Sequence, residues 1–215
     1  MVKLVQKIAI VGNGDDWKKE KIIHFCQYVD YIIAADNGLE ILDYFNITPQ
    51  LIIGDLDSVS PSLLQKYSHI PTEKHPSKKD LADSELSIQK AIGMNPEEII
   101  LLSMTGNYFD HSYAAVINLF RNYKENINIK IITSNATIFL ITKHISLCDL
   151  KGRRFSIFPL IPVTQFSMTG AEYSFSKSNL ELIDYSISNV IVNKRLEINF
   201  KKGILFCVLF DEGFQ

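Results

Sequence analysis

Long apolar runs are missing from this chain. No segment approaches the roughly 20 residues that a membrane helix requires. The start, Met1-Val2-Lys3-Leu4, leads into a strand-like segment without the apolar stretch and small-residue cleavage site of a signal peptide. Cysteine is sparse and unpatterned: its three residues, Cys26, Cys148 and Cys207, make no CxxC pair and no zinc-like spacing. Each has apolar neighbours, so all three are expected to be buried free thiols. An odd count without a secretory signal suits a reducing cytoplasm. An excess of either charge is lacking too. The 22 Lys and Arg against 24 Asp and Glu leave a formal net charge of −2, which marks no nucleic-acid or membrane-binding surface. These absences point to a soluble cytoplasmic protein whose partner is a small molecule or another copy of the same chain.

Core material is plentiful. Hydrophobic residues make up 47% and charged residues 21% of 215, enough for one large domain or two modest ones. Over roughly residues 1–143, short apolar runs alternate with helical periods. The runs are Lys7–Val11, Tyr31–Ala35, Leu51–Ile53, Ile99–Leu102 and Ile129–Thr133. Between them, Ile22, Ile23 and Cys26 form one helix face and Leu39, Leu42 and Phe45 another; further helices are expected over Leu81–Ile92 and Ser112–Arg121. This alternation predicts a mostly parallel sheet covered on both faces. After about Lys143 the texture changes. Segments rich in Ile, Phe, Val, Ser and Thr are punctuated by Lys151-Gly152, Pro159, Pro162, Gly170, Ser178-Asn179 and Lys202-Gly203. The expectation is an α/β domain over 1–143 followed by a small all-β, sandwich or barrel-like domain over 144–215.

Ligands of parallel α/β sheets bind beyond the carboxyl ends of the strands, so the residues just after the apolar runs carry the chemistry. Asp36-Asn37-Gly38 follows the second run, where Asp36 also suits a helix cap. Gly54-Asp55-Leu56-Asp57-Ser58 follows the third. Two carboxylates in one short turn repel each other unless a cation lies between them. Mg²⁺, a hard ion, prefers such oxygens together with substrate phosphates. Lys78-Lys79-Asp80-Leu81-Ala82-Asp83 opens a helix; Asp83 is expected to join Asp55 and Asp57 on the metal, with Lys79 meeting phosphate charge. The bland reading is that Asp80 and Asp83 complement the helix dipole. Thr105-Gly106-Asn107-Tyr108-Phe109-Asp110-His111 follows the fourth run. Asp110 suits an N-cap there, and the glycine loop suits an anion or substrate. Asp15 or Asp16 is the expected cap of the first helix. Together these features describe a metal–polyphosphate site.

In order and spacing, Asp36-Asn37-Gly38, Pro49-x-x-Ile52-Ile53-Gly54-Asp55-x-Asp57-Ser58, Lys79-Asp80-x-x-Asp83 and Gly106-x-x-x-Asp110-His111 resemble the thiamine pyrophosphokinases. Gly170-Ala171-Glu172-Tyr173 and Ser186-Ile187-Ser188-Asn189 look like that family's thiamine-binding domain, so the resemblance spans nearly the whole chain. It implies an ATP:thiamine diphosphotransferase that releases AMP, working as a homodimer with thiamine held between subunits. It further implies that Asp55, Asp57 and Asp83 hold Mg²⁺ and the ATP phosphates, supported by Asp36 and Asp80. Asn37, Lys79, Thr105 and Gly106 would lie on the ATP side. Asp110 and His111 would lie by the thiamine hydroxyl, and Ser188 and Asn189 against the pyrimidine. Some positions depart from the family pattern. Asn107 and Tyr108 stand where the family has Gly and Arg, and Ala82 where it has Thr. Asn37 replaces a glycine, and asparagine tolerates a left-handed backbone better than most residues. Lys78, Lys79 and Arg153 are candidates for the lost guanidinium charge. Two other readings use the same acids: a metal-dependent nucleotide-sugar transferase, and a non-catalytic binder of thiamine or its diphosphate.

Overall fold

The computed structural model describes residues 5–76 and 82–212. The chain divides into two compact units, residues 1–134 and 135–215. The first contains β1 (Lys7–Val11), α1 (Lys19–Tyr28), β2 (Tyr31–Ala35), α2 (Gly38–Tyr44), β3 (Leu51–Gly54) and α3 (Pro61–Lys66). It continues with β4 (Thr72–Lys74), α4 (Asp83–Gly93), β5 (Glu98–Leu102), α5 (Phe109–Arg121) and β6 (Asn128–Ile132). The strands lie in the order β4-β3-β2-β1-β5-β6, every neighbouring pair parallel. All strand carboxyl ends therefore open on one edge, and the order reverses between β1 and β5, where a crevice forms in such sheets. Ala9, Val11, Ala34, Ile52, Ile100 and Leu102 are buried with Leu39, Leu42 and Leu63 from the helices. Burial on both faces explains why these strands read as unbroken apolar runs.

The second unit is antiparallel. It holds β7 (Ala136–Ile141), β8 (Ile145–Cys148), β9 (Arg154–Thr169), β10 (Phe175–Leu180), β11 (Ser186–Val190), β12 (Arg195–Asn199) and β13 (Lys202–Phe210). Its path is β7-β13-β9-β12-β8, with β10 and β11 also paired to β9. By serving four partners along its length, β9 wraps the unit around the buried cluster of Phe155, Ile157, Phe166, Leu196, Ile198 and Cys207.

An α/β domain followed by an antiparallel β domain is as the sequence predicts; several details differ. β7 lies before the change of texture at Lys143, yet it pairs antiparallel with β13 and so belongs to the second unit. Pro159 and Pro162 do not end strands but lie inside β9. There the register with β13 shifts between Lys202 and Leu205, and such irregularities spare a proline the ladder hydrogen bond it cannot donate. Ser178-Asn179 and Lys202-Gly203 are also within strands. Cys26 and Cys207 are buried, but Cys148 is exposed, because the alternating face of β8 turns it outward. Among the described residues, no helix is long and apolar enough to cross a membrane.

Candidate functional site

Asp36 follows β2 with φ 48°, a left-handed conformation uncommon outside glycine. The left-handed residue of this turn is thus Asp36 and not Asn37, whose φ is −69°. Nor does Asp36 cap α2: the N-cap position is Asn37, and no side chain caps there. Instead the Asp36 N–H donates to Ile53 O at 2.7 Å, and its Oδ2 accepts from Ser58 Oγ at 3.0 Å. Gly54 makes this junction possible, since a β-carbon there would lie 3.0 Å from Asp36 Cα. Asp36 Oδ1 and Asn37 Oδ1 are buried without a hydrogen-bond partner.

The acidic loop after β3 is built on Leu56. This residue is buried among the α/β core residues although its φ is 61°. Anchoring Leu56 inward leaves its neighbours outside: Asp55 is half-buried and Asp57 exposed. The Asp57 N–H donates to Asp55 Oδ1 at 3.1 Å, closing an Asx turn. Among the described residues, no lysine or arginine pairs with Asp36 or Asp55. Left-handed backbone at Asp36, at Leu56 and at Ser103 after β5 places stored strain at three strand ends on one sheet edge.

Asp83 is the first residue of α4, half-buried. Two residues on, the buried Glu85 pairs with Arg121 of α5 at 3.1 and 3.2 Å, which fixes this helix start. Lys78, Lys79 and Asp80 lie outside the described residues. No three His, Cys, Asp or Glu side chains among the described residues are gathered closely enough to enclose a metal ion. The donor set nevertheless suits one: an uncompensated carboxylate with an unpartnered buried oxygen lies beside a two-carboxylate turn.

Asp15 and Asp16 cap no helix; the N-cap of α1 is Lys18. They serve the loop after β5 instead. Asp16 accepts from Thr105 Oγ1 at 3.1 Å and from the Ser134 N–H at 3.1 Å, and Asp15 accepts from Asn107. Thr105 is therefore buried and spoken for, while Gly106 N–H donates to Ser112 Oγ at 3.0 Å. Asp110 is not the cap of α5. That position is Tyr108, and Asp110 sits exposed in the first turn with His111. Tyr108 is 74% exposed and Phe109 81%, so α5 begins earlier than its apolar period predicts.

In the β unit, Ser188 has φ 53° and its N–H donates to Ser156 Oγ at 3.0 Å. Asn189, expected to touch thiamine, is 0% exposed and saturated. Its Oδ1 accepts from Tyr173 N–H and Val190 N–H, and its Nδ2 donates to Tyr173 O and Ser186 Oγ. No donor or lone pair of the amide remains for a ligand. Arg153, a candidate for the missing charge, is occupied by Phe210 O at 2.6 Å and Asp211 at 3.5 Å.

Carboxylates and a glycine loop lie at the carboxyl edge of a parallel sheet, where α/β enzymes bind their ligands. Residues 22–131 match the thiamin pyrophosphokinase catalytic domain, and residues 140–205 that family's vitamin B1 binding domain. The chain belongs to the thiamin pyrophosphokinase family and is an enzyme of it. A thiamine pyrophosphokinase of Bacillus subtilis is 25% identical over 213 residues, 95% of this chain and 98% of that protein. The fold is shared with a crystal structure of thiamine pyrophosphokinase from Bacillus subtilis, at TM-score 0.83 and 23% identity over 95% of this chain and 99% of that one. It is also shared with a family member from Enterococcus faecalis, at TM-score 0.84 and 19% identity over 96% and 100%.

Proposed function

We propose that the α/β unit binds ATP as its Mg²⁺ complex and that the hydroxyl of thiamine attacks the β-phosphorus. A bond forms from the thiamine oxygen to that phosphorus, the bond between that phosphorus and the oxygen bridging it to the α-phosphate breaks, and AMP leaves with the bridging oxygen. Asp55, Asp57 and Asp83 would hold the ion, and Asp36 and Asp80 would support that site. When bound, Mg²⁺ supplies neutralisation of the phosphate charge that builds on the leaving group. Asn37, Lys79, Thr105 and Gly106 would serve the nucleotide. Thr105 and Gly106 do so through the loop they shape, since the Thr105 hydroxyl is already engaged by Asp16.

Asp110 takes the proton of the attacking hydroxyl late in the transfer, with His111 beside it. Ser188 meets the pyrimidine, while Asn189 holds Ser186 and Tyr173 in place around it. The exposed Tyr173, Leu182, Ile183, Tyr185 and Ile187 support a homodimer that covers the thiamine between subunits, and three free thiols fit a cytoplasmic setting.

The observation that carries this reading is the junction of Asp36 with the acidic loop, where, among the described residues, a buried carboxylate oxygen has no donor and no lysine or arginine answers it. Purified protein incubated with ATP, Mg²⁺ and thiamine is expected to yield thiamine diphosphate and AMP in equal amounts. ADP in place of AMP, or no thiamine diphosphate, contradicts it.

A further inference from the structure

Asp15 grips a single residue twice. Its Oδ1 accepts the backbone N–H of Asn107 at 2.8 Å, and its Oδ2 accepts from the Asn107 side-chain Nδ2. Gly106 lies so close that a β-carbon there would stand 1.9 Å from Asp15 Oδ1, so only glycine lets the carboxylate reach. The next residue, Asp16, holds Thr105 by two other bonds: its N–H donates to Thr105 O at 3.1 Å and its Oδ2 accepts from the Thr105 hydroxyl. The same carboxylate takes the Ser134 N–H after β6. One turn after β1 thus holds the loop after β5 and the end of β6, across the point where the strand order reverses. The held segment, Thr105–Asn107, leads directly into the first turn of α5, which carries Asp110.

We propose that Asp15 is a positioning residue of the transfer reaction: through Asn107 it fixes the segment that sets Asp110 against the thiamine hydroxyl. The proposal rests on the reading that Asp110 serves that hydroxyl. It accounts for a departure from the family pattern in this chain. A glycine at position 107, as in the family pattern, would leave Asp15 only the backbone half of the grip. Asn107 adds a side-chain arm, and both oxygens of one carboxylate are then engaged. Hydrogen bonds to an ionised acceptor are the strong ones. Their loss reaches the reaction through misplacement of the segment rather than through a contact with either substrate.

The test is a double-mutant cycle on Asp15→Ala and Asn107→Ala, with thiamine and ATP varied separately. Asp15→Ala is expected to lower kcat/KM for thiamine by about 10-fold to 100-fold and to leave KM for ATP within about twofold, because Thr105 and Gly106 keep their own bonds to Asp16 and Ser112. Asn107→Ala is expected to lose less, and the double variant no more than Asp15→Ala alone. Asp15→Asn keeps an acceptor for the Asn107 N–H and is expected to recover part of the loss. It is also the variant to read should Asp15→Ala fail to fold, as judged by urea unfolding. Turnover at the unaltered level in both Asp15 variants overturns the proposal. So do losses that multiply in the double variant, or a loss confined to KM for ATP with Asn107→Ala unaffected. Asp110→Ala, assayed alongside, separates the two readings. If that variant turns over normally, Asp110 is removed from the reaction, while the coupling of Asp15 with Asn107 is still decided by its own cycle.

Discussion

Ser58 Oγ donates to Asp36 Oδ2 at 3.0 Å, joining residues 22 positions apart in the sequence. The bond ties the turn after β2 to the acidic loop after β3, and it is the partner the structure supplies to that carboxylate side chain, whose Oδ1 has none. Among the described residues, Ser58→Ala leaves both oxygens without a donor. It is expected to raise KM for ATP about fivefold, the worth of one hydrogen bond of about 1 kcal/mol, with Ser58→Thr close to the original enzyme. Steady-state kinetics with ATP varied checks this, and an unchanged KM in the alanine variant contradicts it.

Leu56 is 7% exposed and left-handed at φ 61°. Truncation to alanine keeps the backbone strain and empties the core, costing about 2–4 kcal/mol. Glycine empties the core equally but relieves roughly 1 kcal/mol of strain. Leu56→Gly is therefore expected to be no less stable than Leu56→Ala, the reverse of the usual order for a buried leucine. Urea unfolding of the two variants decides; a glycine variant weaker than the alanine variant rules out the strain argument.

Asn189 makes four hydrogen bonds from a fully buried position. Asn189→Ala is expected to cost about 2–4 kcal/mol, because the Tyr173 and Val190 backbone groups lose buried partners. KM for thiamine should rise with it as Ser188 loses its neighbour, while KM for ATP stays unchanged. An Asn189→Ala protein with unaltered stability would show that these bonds are dispensable.

Burial pushes the Cys26 and Cys207 thiols up from the ordinary 9.0 to about 12. Burial, with the hydrogen bond to Asp43 behind it, pushes Tyr67 from 10.0 to about 12. The unfolded chain releases these protons near 9 and 10, and the folded chain keeps them. Stability is thus full below pH 9 and falls as pH rises towards 12, by up to about 1.4 kcal/mol per pH unit for each group. Urea midpoints measured from pH 8 to 11 are expected to decline above 9, and a level profile contradicts the burial. Native protein should react with a thiol reagent at Cys148 alone, since only that cysteine is exposed.

The parallel sheet was legible because its strands are buried on both faces and so read as unbroken apolar runs such as Ile99–Leu102. The acidic loop stood out because two carboxylates in one short turn after such a run repel each other unless a cation lies between them. The second unit was less so. Pro159 and Pro162 look like strand ends in the sequence, and only the pairing of β9 with β13 shows the register shifts that accommodate them. Asn189 reads as a ligand contact by its position in a motif, whereas its burial depends on Tyr173, brought to it by the fold. Asp15 and Asp16 read as caps because capping is local. Their partners, Asn107, Thr105 and Ser134, are 92, 89 and 118 residues away.

The central claim is that the acidic loop carries the metal-bound nucleotide. The measurement that tests it most directly is turnover by Asp57→Ala with ATP, Mg²⁺ and thiamine. Asp57 is exposed while its neighbour Leu56 anchors the loop, so the variant should keep the fold of the parent. Asp57→Ala is expected to lose at least about 100-fold in thiamine diphosphate formation with the urea midpoint unchanged. Turnover at the parent level in a folded Asp57→Ala protein would contradict it.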